Sequence, residues 1–163
     1  MDRRSLYAVA SNEGGQFSKL EQQTASSMMT TQLTTFNSSS PESDSERLAG
    51  IGNYINFLQN VSPEEKASPL WAVDMASGKT AYNDYASDLG QPQQTAAGTN
   101  SLVEVLMAAM KSAKSDPSKD MTVGQENTLD GIKSQPWAQG YESQIDTAYQ
   151  AVLLQTKGLN NLA

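Results

Sequence analysis

This chain contains no cysteine and no histidine. Those two absences exclude a disulfide framework, a thiol nucleophile, an imidazole base and the usual Cys/His zinc or iron sites. Charge is also scarce, at 18 % of residues where soluble domains carry about 25 %. Eleven basic side chains face eighteen acidic ones, for a net charge of −7. A nucleic-acid surface needs clustered Lys and Arg to release counterions from phosphates. Here the only adjacent basic pair is Arg3-Arg4, so nucleic acid is not an expected partner. Long hydrophobic runs are missing as well. The longest, Leu102 to Met110, is interrupted by Glu104, whereas a membrane-spanning helix needs about 20 mostly apolar residues. The opening, Asp2-Arg3-Arg4 and a few apolar residues before Ser11-Asn12-Glu13-Gly14-Gly15, does not read as a signal peptide.

What the chain has in abundance is uncharged polarity. Ser (20), Gln (14), Thr (12) and Asn (10) supply about a third of its 163 residues. A surface solubilised by amides and hydroxyls suits proteins that work outside a reducing cytoplasm or pack against copies of themselves. Composition alone fits an ordinary soluble domain rich in Ser and Gln slightly better; an exported, cell-surface or virion-associated setting is nonetheless placed slightly ahead of a cytoplasmic one. The length fits one domain, or one domain with an ordered arm.

Helical periodicity recurs along the chain and strand alternation does not. The expectation is an all-α fold, an irregular bundle of about five helices with a long central loop. The first helix spans 16–36, where Phe17, Leu20, Met28, Met29, Leu33 and Phe36 form a drifting stripe. Thr30, Thr31, Thr34 and Thr35 weaken it further. Residues 1–39 are accordingly read as a bent helix or partner-facing arm, with those six apolar residues as its contact surface. Residues 40–163 are read as the bundle.

The second helix is expected from Ser40 as N-cap and Pro41 as first residue. Its face carries Leu48, Ile51, Tyr54, Ile55, Leu58 and Val61. Further Ser-Pro starts stand at Ser62-Pro63 and Ser68-Pro69, the latter opening a short helix that Gly78 should end. Loop 79–100 follows, on the strength of Gly90-Gln91-Pro92 and Ala97-Gly98-Thr99-Asn100, and is expected to be mobile or to lie between subunits. Ser101 and Glu104 read as a capping box for a central helix, in which Met107 and Met110 look buried. A short helix near Gln125–Lys133 and a last one from Pro136 to Gly158 complete the set. The final stripe of Trp137, Tyr141 and Tyr149 reads as core rather than as a stacking surface.

Chemical motifs are few. Ser77-Gly78-Lys79-Thr80 ends like a phosphate loop, but Val73 stands where the first glycine belongs. Asp116-Pro117-Ser118-Lys119-Asp120 starts like a calcium loop, yet Met121 replaces the glycine and Asn127 the terminal glutamate. Glu13 ends an early helix-like stretch, the position at which helical lysozyme-like hydrolases place an acid. That chemistry needs a second group, often a carboxylate, on a shaped cleft, and no Gly-x-Gly-His element follows, since the chain has no histidine. The expected function is non-enzymatic, with no cofactor and no metal. It is a structural or adaptor subunit of a larger assembly, such as a bacterial surface or secretion apparatus or a virion, working by self-association or a protein partner. The alternatives are a small acidic protein-binding adaptor or chaperone, and a carboxylate-dependent glycan hydrolase built on Glu13.

Overall fold

A computed structural model describes residues 1–36, 41–124 and 127–160, with backbone alone at 159–160. It is all-helical, and no strand occurs among the described residues. The elements are α1 (Arg3–Ser11), α2 (Lys19–Thr34), α3 (Asp44–Gln59), α4 (Pro63–Lys66), α5 (Pro69–Asp88), α6 (Ser101–Lys114) and α7 (Leu129–Lys133). A 3-10 turn (Pro136–Ala138) and α8 (Glu142–Asn160) follow.

Local capping chemistry explains most of the starts. Asp2 accepts the Ser5 N–H at 3.0 Å and opens α1, a helix the periodicity had not separated from the arm. Asn12 closes α1 in the left-handed region at φ 47°. Ser18 and Glu21 form a reciprocal capping box at the head of α2. The expected start of α3 is corrected: Ser43, not Ser40, is its N-cap, accepting from Glu46 N at 3.2 Å. Pro41 lies before the helix, and Ser40 lies outside the described residues. The Ser62-Pro63 and Ser68-Pro69 starts are as expected.

The largest difference is at Gly78. The helix does not stop there but runs on to Asp88, so the expected loop 79–100 shrinks to 89–100. A Cβ at Gly78 would stand 3.3 Å from the Tyr54 ring and 3.4 Å from Ile55 Cγ1. The glycine is there to let α5 approach α3, and that packing outweighs its poor helix propensity. The remaining loop is tied down. Lys79 Nζ donates to Thr95 O at 2.7 Å, and Asn83 exchanges two hydrogen bonds with the Gln94 backbone. The lysine of the incomplete phosphate-loop motif is thus buried against a carbonyl.

α6 is capped by Asn100 rather than Ser101, whose hydroxyl instead donates to Ala148 O on α8 at 3.0 Å. It does run through the middle of the bundle, packing against α5, α8 and the 3-10 turn. Leu102, Leu106 and Met110 are fully buried there with Ile55, Leu58, Met75, Trp137 and Ile145, while Met107 sits half-buried at the edge. The expected helix at Gln125–Lys133 starts only at Leu129, capped by Thr128, and Gln125 lies outside the described residues. Pro136 opens the 3-10 turn, α8 begins at Glu142, and Gly158 lies within α8 instead of ending it. Asp116 and Asp120 accept from Ser118 and Thr122 as ordinary turn residues. Among the described residues no cluster of three carboxylates could hold a metal ion, and no helix is long and apolar enough to cross a membrane.

Candidate functional site

α1 and α2 pack against each other as a hairpin, burying Leu6 and Ala25. Where this hairpin meets α3, α4, α5 and α8 it leaves a cleft of about 520 Å3, a size within the range of ligand sites. One side chain organises it. Arg3, in the first turn of α1, places Nη2 2.6 Å and Nε 3.0 Å from Glu65 Oε1. Its Nη1 donates to Met29 O at 2.8 Å and to Gln32 Oε1 at 3.3 Å. Its guanidinium lies 5.4 Å over the Phe57 ring. The pair is withdrawn from water, with side-chain exposures of 14 % for Arg3 and 5 % for Glu65. Beside it Arg4 meets Glu64 at 2.7 Å in the open, although Glu64 Oε2 is itself buried and has no hydrogen-bond partner among the described residues.

Asp74 is the second unusual group. It stands on α5 among Trp71, Val73 and Met75, and burial pushes its carboxyl from 3.8 up to about 6. The Arg3 guanidinium opposes that rise, Glu65 adds to it, and a hydrogen bond from the Tyr54 hydroxyl opposes it. Tyr54 is correspondingly held well above the ordinary phenol range, first by burial and then by the Asp74 charge. Across the cleft, burial and the nearby Glu13 charge push Tyr7 up to about 12. The cleft thus combines a compensated ion pair, a carboxyl that keeps its proton to mildly acidic pH, and apolar walls from Leu33, Leu58, Trp71 and Leu153.

The six residues expected to form one contact surface are divided. Met29 and Leu33 line the cleft, and Phe36 packs inward at 5.2 Å from Phe57 and 6.2 Å from Tyr54. Phe17 is half-buried at the α1–α2 corner, where Asn12 clamps its backbone N–H and C=O. Leu20 and Met28 point outward, 73 % and 44 % exposed. Glu13 is exposed, just beyond the cap of α1, and lines the cleft's edge.

Arg3, Glu65 and Asp74 were not singled out from the sequence. Asp74 carried a usable signal, a lone acid inside Trp71-Ala72-Val73-Asp74-Met75-Ala76. Arg3 and Glu65 are 62 residues apart and carried none. No protein-family model matches the chain, and no curated protein or solved structure matches it.

Proposed function

We propose that this protein is a non-enzymatic helical subunit of a larger assembly, and that it associates through its N-terminal α1–α2 hairpin. The observation that carries this reading is how the hairpin is attached. It is packed closely within itself, while toward the bundle it rests on a charged pin and an aromatic seat above an open cleft. A segment so built is suited to making contacts between molecules, and the hydroxyl- and amide-rich surface is consistent with dense packing among copies. Sedimentation velocity of the full chain over a wide concentration range tests it. The expected result is a mass that rises with concentration, and a monomer throughout refutes the reading.

One observation favours a second reading, carboxylate-dependent glycan hydrolysis. Glu13 and Asp74 line the same cleft, and Asp74 retains its proton into the range where a general acid operates. Turnover of a glycan near pH 5–6 that disappears in both Glu13→Gln and Asp74→Asn would establish it in place of the first.

A further inference from the structure

The hairpin packs Leu33 on the main core, and the charged and aromatic contacts that hold it to the bundle are ones that another copy of the chain could supply equally well. The hairpin presents two adjacent arginines and the bundle two adjacent glutamates, Arg3 on Glu65 and Arg4 on Glu64. The Phe57 ring receives both the Arg3 guanidinium and Phe36. Between these attachments lies the cleft of about 520 Å3, so the two parts do not meet at the density of a protein interior. α1 and α2, in contrast, have their closest helix packing with each other. Its two buried apolar residues, Leu6 and Ala25, stand outside the main core cluster of the bundle.

We propose that the α1–α2 hairpin is exchanged between copies of this chain. Arg3 and Arg4 of one molecule seat on Glu64 and Glu65 of a second, and the reciprocal contact closes a two-fold pair. This deepens the assembly reading and rests on it. Charge selects the occupant, because the groove offers Glu64, Glu65 and Asp74 and a second copy brings the matching arginine pair. Leaving the groove empty would expose Leu58 and Trp71 to water, so an opened bundle recloses on whichever hairpin is near. Closed monomer and exchanged pair make the same contacts, and concentration sets the balance between them. Residues 37–43 join Phe36 to α3, a length of chain that spans about 25 Å at full extension.

The absence of cysteine makes the test clean. Arg4→Cys and Glu64→Cys are prepared as separate full-length variants, each altering only the solvent-exposed pair and keeping the Arg3–Glu65 pin. They are mixed, incubated at high concentration and treated with a short bis-maleimide. The expected result is a covalent dimer on a denaturing gel from the mixture and none from either variant alone. A chain carrying both substitutions, which must cross-link within itself when closed, reports that the sites are in reach. If it links internally while the mixture gives no dimer, exchange is overturned. If each variant alone dimerises as readily as the mixture, exchange is again overturned, but assembly through another surface stands. Sedimentation of the wild type on the same preparations separates that outcome from a failure of the assembly reading itself.

Discussion

Replacing Asp74 by Asn should stabilise the protein at neutral pH and do almost nothing in acid. The carboxyl titrates at about 6 in the fold against 3.8 in a free chain, so the folded state holds this proton more tightly. Its contribution to stability is therefore complete below pH 3.8 and is lost as pH rises through 6. A difference of about 2 pKa units corresponds to about 3 kcal/mol by pH 7.5. Asn mimics the protonated acid in size and keeps an oxygen for the Tyr54 hydroxyl, so it escapes that loss. The attraction of Arg3 for an ionised Asp74 is already included in the shifted pKa, and Arg3 keeps Glu65 in the variant. In a chain of this length the gain corresponds to a Tm increase of roughly 6–12 °C. Urea unfolding of wild type and Asp74→Asn at pH 4 and pH 7.5 is the measurement, since their difference isolates this group from every other titration. A variant less stable than wild type at pH 7.5 would refute the reasoning, because it would mean that Asp74 serves the fold as a paired anion beside Arg3.

Further outcomes are expected. Arg3→Ala should cost about 3–5 kcal/mol by leaving Glu65 buried without its partner, whereas Arg4→Ala, in the exposed pair, should cost under about 1 kcal/mol; paired urea melts compare them. Gly78→Ala should lower stability by about 1–3 kcal/mol, because the new methyl meets a Tyr54 ring held by Asp74 and Phe36. Gly52→Ala, whose Cβ would lie 3.6 Å from Tyr82, should instead gain about 0.5–1 kcal/mol in the same melts from helix propensity alone. The double change Leu20→Ser with Met28→Ser should leave stability within about 0.5 kcal/mol. Its sedimentation profile should match wild type if association runs through hairpin exchange, and should become monomeric if it runs through the outer face of α2.

How legible each element was depended on whether its cause was local. Ser62-Pro63 and Ser68-Pro69 carry their cap and first turn within a few residues, and the helices begin there. Where two local signals competed, at Ser40-Pro41 and Ser43-x-x-Glu46, the cap with a partner at the third helical residue set the start. Gly78 was misread because a glycine looks the same whether it ends a helix or admits a neighbour, and only the distance to Tyr54 separates the two. The end expected at Gly158 failed differently: among the described residues nothing lies within 4 Å of its Cβ position, and no contact there accounts for a glycine. Loop 89–100 was half right. Its turn signals were real, but its anchors Lys79 and Asn83 lie on the stretch of α5 that had been assigned to the loop itself.

The cleft shows why the arm could be recognised in outline and not in detail. A weak, threonine-rich stripe reports that α2 lacks a strong core of its own, and among its described residues only Ala25 is fully buried. It does not report where the missing stabilisation comes from. Much of it comes from Arg3, which lies outside α2 altogether and binds the Met29 carbonyl, the Gln32 side chain, the Phe57 face and the Glu65 carboxylate together. A single guanidinium thus joins four helices, its own α1 with α2, α3 and α4, that periodicity treats one at a time. Its five fixed donors make that possible, which a lysine at the same position could not reproduce. The same concentration of contacts in one residue makes the hairpin separable: withdraw Arg3, and most of what fastens α1–α2 to the bundle by polar contact goes with it.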